Sequence, residues 1–245
     1  MARHEFYEEL PSTQDRAIVL ARDGAPEGSR VVARRQTAGR GRGDRLWASP
    51  PGGLYVSVVL RPWQESRLLP LAIGAELAGT FTERYGVRLR LKWPNDLVAV
   101  DAGGEARKLA GILIDVVPGG PELAAAVAGI GVNGSWPPDG VPREVRSSAV
   151  ALTELSKAPV SLDRLEEEVV ASAVVARRAL AEPNGASAVL ARCEGLLYGR
   201  GESITVDQVP AGVVRGLGPD GALALRGPDG TTAVLAGDVR VGVGR

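Results

Sequence analysis

Gln36-Thr-Ala-Gly-Arg-Gly-Arg-Gly-Asp-Arg-Leu-Trp47 alternates Gly39, Gly41 and Gly43 with Arg40 and Arg42. Guanidinium forks on a backbone that can approach a ligand closely suit a phosphate or a carboxylate, and Trp47 adds a flat apolar surface in the same stretch. A Gly/Arg-rich stretch can also be a solvated linker. Here it follows the apolar run Val31-Val-Ala and precedes a strong strand pattern, which reads as a loop within a domain. Lys92-Trp-Pro-Asn-Asp96 brings a cation, an amide and a carboxylate together within five residues, with Pro94 fixing the turn. Alone, it reads equally as a strand end with a solvated Lys–Asp pair. Lys108-Leu-Ala-Gly-Ile112 opens an apolar strand with a lysine, and alone it reads as an edge-strand cation. Arg40 and Arg42 have no obvious partner until an anion arrives, so the loop from Arg34 to Trp47 is expected to be disordered or mobile when empty and to close over an anionic ligand.

Gly129-Ile-Gly-Val-Asn-Gly134 formally matches a dinucleotide fingerprint, but that motif needs a helix opening at its last glycine. Ser135-Trp-Pro-Pro-Asp-Gly follows instead, so these glycines are read as a strand end against which a ligand can lie, with Asn133 as a polar contact.

The 245 residues carry 29 basic and 29 acidic side chains, a balance that gives no field towards nucleic acid or anionic membrane. Of the basic residues only Lys92, Lys108 and Lys157 are lysine, and two of these lie in the motifs above. The single His4, expected in a frayed terminus, speaks against a histidine triad or a multi-histidine metal site. The single Cys193 excludes an internal disulfide and fits a reducing cytoplasm. No stretch approaches the roughly 20 apolar residues of a membrane span, and the first residues lack a signal-peptide pattern.

The elements that must position these motifs can be read in order. Ser12 caps a helix to Arg22, with Gly24 past its end. Arg30–Arg34 and Leu54–Leu60 are strands, the second buried on both faces. A helix runs from Pro70 to Tyr85 and stops at Gly86. Arg88–Trp93 alternates, with Leu89, Leu91 and Trp93 on the apolar face. Leu97–Asp101 and Lys108–Val117 form a hairpin, and Glu122–Val132 is a further strand after a Pro118–Pro121 turn. Ser135–Pro142 is a loop, and Ser161 caps a helix to about Ala181. Beyond residue 195 come short strands at 203–207, 213–217, 222–226, 231–236 and 239–243, with turns at Asp220-Gly221 and Asp229-Gly230. The pattern implies an α/β (α+β) domain around a mixed sheet, residues 1–192, followed by a small antiparallel barrel, residues 195–245.

Taken in order, Ser12-Thr-Gln14, Gln36-Thr-Ala-Gly-Arg-Gly-Arg…Trp47, Lys92-Trp-Pro-Asn-Asp-Leu97, Lys108-Leu-Ala-Gly-Ile-Leu113 and Gly129-Ile-Gly-Val-Asn133 closely resemble the biotin–protein ligases over residues 10–135. The resemblance implies a class II synthetase-like mixed sheet backed by helices, plus an SH3-like barrel. It also implies a two-step reaction: ATP and biotin give biotinyl-5′-AMP, and a lysine of a biotin carboxyl carrier domain takes the biotin. It carries Ser12, Thr13, Gln14, Gln36, Gly39, Arg40, Gly41, Arg42, Lys108, Gly111 and Gly129 over as biotin contacts. Arg42, Trp47, Lys92 and Asn133 carry over as adenylate contacts and Asp96 to the Mg²⁺ region, with Lys108, Arg40 and Arg42 as the charge-stabilising catalytic groups. Two positions depart from the pattern: Gln14 stands where the family often has Asn, and Arg240 is a candidate for a C-terminal arginine that is out of register. About ten residues precede Ser12, too few for a DNA-binding domain, so a monofunctional enzyme acting as monomer or homodimer is expected, without DNA or membrane. The alternatives are a lipoate or octanoate ligase or transferase of related fold, for which Cys193 is poorly placed as acyl acceptor, and a non-enzymatic biotin-binding regulator.

Overall fold

The computed structural model describes residues 1–43, 45–61, 67–120, 124–141, 143–227, 230–234, 237 and 239–241. Its larger sheet has seven strands: β1 (His4–Leu10), β2 (Arg30–Gln36), β3 (Leu54–Leu60), β4 (Arg90–Lys92), β5 (Asp96–Val100), β6 (Ala106–Val117) and β7 (Ala125–Val132). Their spatial order is β1-β2-β3-β7-β6-β5-β4. Only β1 and β2 pair in parallel. The sheet is therefore mixed and has helices on both faces.

Pleating sends alternate residues of β3, β6 and β7 to opposite faces. Val56, Val58, Leu60, Ala110, Ile112, Ala126, Ala128 and Ile130 face α2 (Leu69–Tyr85) and α5 (Leu162–Ala181) in the main apolar core. Gly86 ends α2 in the left-handed region at φ 68°, which its missing Cβ permits. On the other face, Val31, Val59, Val117 and Val127 pack under Ala17, Leu20 and Ala21 of α1 (Thr13–Arg22). Helix α1 covers only part of that face. Beyond its N-terminus the strand positions on that face are the small residues Gly111, Gly129, Gly131 and Ser57, so the sheet surface there is hollow.

A second sheet contains β8 (Ser203–Val206), β9 (Val209–Leu217), β10 (Leu223–Gly227), β11 (Gly230–Val234) and β12 (Val239–Val241), in the order β11-β10-β9-β8-β12. All its pairings are antiparallel. It is joined to the larger sheet by continuous apolar packing, with Ile204, Val214, Leu223 and Leu225 in the same cluster as Leu71 and Leu77. Two hydrogen bonds tie it down: buried Trp93 donates from Nε1 to Gly221 O at 2.9 Å, and Tyr198 N donates to Leu91 O at 2.8 Å.

Most expected elements occur where the pattern puts them, with Ser12 accepting from Asp15 N as the cap of α1. The expectations for residues 121–123, 228–229, 235–236 and 242–243 lie outside the described residues. Four elements go beyond the sequence reading. His4 is not in a frayed terminus but opens β1, where Nε2 lies 3.2 Å from Glu166 Oε1. The segment lacks clean alternation because its edge-strand residues are mostly exposed. Helices α3 (Arg143–Ser148) and α4 (Leu152–Leu155) are too short to show a 3.6-residue period. Helix α6 (Gly185–Leu196) is built of small residues and buries only Gly185, Val189 and Cys193, so it carries little apolar stripe.

Candidate functional site

A cavity of about 140 Å³ occupies the hollow beside the N-terminus of α1. Its floor follows from strand register. Gly111 of β6 lies opposite Gly131 of β7, and Gly129 lies opposite Ser57 of β3. Each glycine is required by a neighbour. A Cβ on Gly131 would fall 2.5 Å from the Trp47 indole, one on Gly111 2.7 Å from it, and one on Gly129 2.4 Å from Gln14 Oε1.

The wall under α1 is polar and buried. Gln36 Oε1 accepts from Thr13 N at 2.8 Å, and Gln36 Nε2 donates to Ser49 Oγ at 2.8 Å. Gln14 Nε2 donates to Asp115 Oδ2 and Val127 O, both at 3.0 Å. These bonds fix which way both amides face. Between the two amide oxygens runs a chain: Thr13 Oγ1 is 3.0 Å from Gln36 Oε1 and 2.9 Å from Ser57 Oγ, which is 2.9 Å from Gln14 Oε1. Gln36 Oε1 already accepts from Thr13 N, so Thr13 Oγ1 can donate to Ser57 Oγ and Ser57 Oγ to Gln14 Oε1, and every oxygen of the chain has a partner. The amide and hydroxyl oxygens keep further lone pairs, which a ligand bringing N–H groups can engage.

The opposite side is cationic. Lys108 Nζ lies 2.7 Å from Asp96 Oδ1 and 4.8 Å from the centre of the Trp47 ring. A register shift in β5–β6, with Leu97 opposite Ala110 but Val98 opposite Lys108, brings that lysine to the cavity side. The Gly/Arg stretch folds back as a small hairpin, with Arg40 bridged to Leu46, Trp47 N donating to Gly39 O at 2.8 Å and Gly41 N donating to Arg45 O at 2.7 Å. Its arginines have partners, contrary to the sequence expectation. Arg40 Nη1 lies 2.9 Å from Asp15 Oδ1 and 3.0 Å from Asp115 Oδ2, and Arg42 donates to Gly237 O. The partners lie far away in sequence and could not be read locally. The Trp47 indole N–H, which borders the cavity, is buried with no acceptor.

The structure brings Ser12, Thr13, Gln14, Gln36, Arg40, Gly41, Arg42, Trp47, Asp96, Lys108, Gly111 and Gly129 to one cavity. Gly39 does not line it but supports it, since a Cβ there would fall 2.4 Å from Trp47 O. Asn133 lines an adjoining cavity of about 430 Å³ with Tyr55 and Trp136, and its Nδ2 donates to Lys108 O at 3.1 Å. Lys92 lines a third cavity, about 360 Å³, together with Arg240 and Tyr198. Tyr55, shared by the first two cavities, donates from its hydroxyl to Pro50 O at 2.6 Å, and burial holds its phenol well above its ordinary pKa. Sequence reasoning missed Ser57 and Asp115, whereas Gly131 belongs to the strand end read as a support for ligand and lines the cavity.

A hairpin with two arginines, the Lys108 ammonium paired with Asp96 and a glycine floor on a mixed sheet surround one cavity, with a second cavity adjoining it. The chain belongs to the biotin/lipoate A/B protein ligase family, whose profile matches residues 8–133. The biotin–[acetyl-CoA-carboxylase] ligase of Paracoccus denitrificans is 33% identical over 253 residues, covering 94% of this chain and 97% of that protein. The bifunctional ligase/repressor BirA of Bacillus subtilis is 35% identical over 159 residues, 63% of this chain; the match spans about half of that relative, 47% of its length. The structure of the biotin protein ligase from Aquifex aeolicus in complex with biotin and ATP superposes with a TM-score of 0.82 at 25% identity, over 98% of this chain and 99% of that one. No helix among the described residues is long and apolar enough to cross a membrane.

Proposed function

We propose that this chain joins biotin to a lysine of a biotin carboxyl carrier domain at the expense of ATP. The observation that carries the reading is the buried polar wall of Thr13, Gln14, Gln36 and Ser57, its amides fixed in orientation, facing Lys108 across a glycine floor. A cyclic urea offers two N–H donors and a carbonyl, which suits that wall. The dithiolane of lipoate and the alkyl chain of octanoate offer no donor, so they are the poorer fit. Cys193 adds nothing to a transferase reading, because it is buried and burial pushes its thiol up to about 12. The names of the Paracoccus and Aquifex relatives support the same choice of ligand and acceptor.

In the first step a biotin carboxylate oxygen bonds to the α-phosphorus of ATP, the Pα–O–Pβ bond breaks and pyrophosphate leaves. In the second step the neutral carrier amine attacks the acyl carbon, the C–O bond to AMP breaks, and the amine gives up a proton. Both partners of the first step are anions, so the site's task is to supply positive charge. Lys108 and Arg40 do that at the cavity and Arg42 at its rim, stabilising charge on the phosphoryl oxygens as it redistributes. Asn133 and Trp47 border the space for the nucleoside. No group of three or more metal-ligating side chains occurs among the described residues. A magnesium ion bound mainly through nucleotide phosphates would find Asp96 as the carboxylate that lines the cavity among the described residues, and would neutralise phosphate charge there.

Residues 1–192 carry this chemistry in the proposed division, with a class II synthetase-like sheet, and residues 195–245 form an SH3-like barrel. The meander β8-β9-β10-β11, with β12 returning beside β8, supports that reading. Balanced charge and the single cysteine support a cytoplasmic enzyme that acts without DNA, as monomer or homodimer. Biotin-dependent ATP–pyrophosphate exchange with lipoate as control tests the activity. Exchange driven by lipoate and not biotin, or by neither, would overturn it.

A further inference from the structure

Asp115 connects two parts of the site that sequence alone keeps apart. Its Oδ2 accepts from Gln14 Nε2 at 3.0 Å and lies 3.0 Å from Arg40 Nη1. Gln14 in turn is held by Val127 O and Ser57 Oγ at the cavity wall. Arg40 reaches across from the hairpin and is held on its other side by Asp15 of α1 at 2.9 Å. Asp15 is mostly exposed, and water weakens its hold on the guanidinium; Asp115 is half-buried and is the firmer partner.

We propose that Asp115 is a positioning residue that couples the occupancy of the biotin cavity, through Gln14, to the placement of Arg40 and its hairpin. The inference rests on the ligase reading above for the identity of the ligand. Asp115 touches neither reacting atom. Its carboxylate sets where one guanidinium stands, and a ligand that shifts Gln14 changes the orientation of that carboxylate. Gln14 is one methylene longer than Asn, and that reach allows its amide to bond Asp115, Val127 O and Ser57 together. The departure from the family's usual Asn thereby acquires a structural role.

Asp115→Asn separates the two connections. Its amide oxygen still accepts from Gln14, but the charge that holds Arg40 is gone. Tryptic cleavage after Arg42 and Arg45 in the ligand-free protein is expected to rise about tenfold, the size of one charge-assisted hydrogen bond. Biotin affinity by calorimetry stays within about twofold, while release of biotinyl-AMP speeds up about tenfold. Asp115→Ala loses both connections and lowers biotin affinity as well. Asp115→Glu restores the protease resistance, which a purely steric role would not allow. If Asp115→Asn unfolds, Arg40→Gln breaks the same bond from the other side and must give the same rise at Arg42 and Arg45. Cleavage at the wild-type rate in whichever of these two folds, or equal loss of biotin affinity in Asp115→Asn and Asp115→Ala, overturns the coupling. The proteolysis needs no turnover, so failure of the ligase reading shows separately, as wild-type protein without biotin-dependent exchange.

Discussion

Lys108 and Asp96 meet at 2.7 Å although they are not cross-strand partners: Asp96 pairs with Gly111, and Lys108 with Val98. One extra residue on β6, Leu109, absorbs the difference. Strict alternation from Gly111 would send Leu109 to the cavity and Lys108 into the apolar layer. The shift turns Leu109 into the core, where it is fully buried, and leaves the ammonium between the carboxylate and the Trp47 face. A lysine in an apolar strand is thereby delivered to the cavity by backbone geometry.

Lys108→Ala removes that point charge. Adenylation, read as biotin-dependent pyrophosphate exchange, should fall by roughly 10²–10³, the scale of losing one preorganised charge-stabilising donor. Lys108→Arg should recover little, because a planar fork does not fit the space of a compact ammonium beside Asp96. Exchange within about threefold of wild type in Lys108→Ala would take this residue out of the chemistry.

Gly131→Ala tests the glycine floor. Its Cβ would sit 2.5–2.7 Å from three atoms of the Trp47 indole, so the indole must leave. Overpacking of this kind costs about 1–3 kcal/mol, and here it should appear as a rise of roughly tenfold or more in the KM for ATP. The strand pairing of Gly131 with Gly111 and Tyr55 is unaffected, so the melting temperature should move little. A normal KM for ATP would mean that the seat of Trp47 on the floor is unimportant.

What could be read from the sequence divides along a physical line. The helix from Ser12, the strand Leu54–Leu60 and the alternation ending at Trp93 are local patterns, and each occurs where its period puts it. Motif glycines and cations were legible because their types are unusual for strand ends. Ser57 and Asp115 were not, because each acquires meaning only when β3, β6 and β7 align. The ion pairs of Arg40 were missed for the same reason: Asp15 and Asp115 are 25 and 75 residues away. Asn133 lines a cavity that adjoins the motif cavity and Lys92 a separate one, a distinction that requires the folded surface.

Trp93 links the Lys92–Asp96 motif to the second sheet, and Trp93→Phe should loosen that joint. The ring volume is mostly kept, but Gly221 O loses its buried donor at 2.9 Å. Leaving such a carbonyl unsatisfied costs about 1–3 kcal/mol. The urea midpoint should drop accordingly with little change in slope, provided the two sheets still unfold together. An unchanged midpoint would show that apolar packing alone carries the joint.

Cys193 gives a pH prediction with a definite sign. The thiol is fully buried, its Sγ is 3.5 Å from Leu71 O, and burial pushes its pKa from 9.0 up to about 12. The folded state therefore holds its proton where the unfolded chain releases it. Its contribution to stability is complete below about pH 9 and is lost as pH rises towards 12. Cys193→Ser keeps a small polar side chain but does not ionise in that window, so its stability should fall less between pH 9 and pH 11 than that of the wild type. Below pH 8 the native thiol should resist iodoacetamide until urea opens the core, because the nucleophile is the thiolate. Rapid alkylation of native protein at pH 8, or parallel pH–stability curves for the two proteins, would contradict this account.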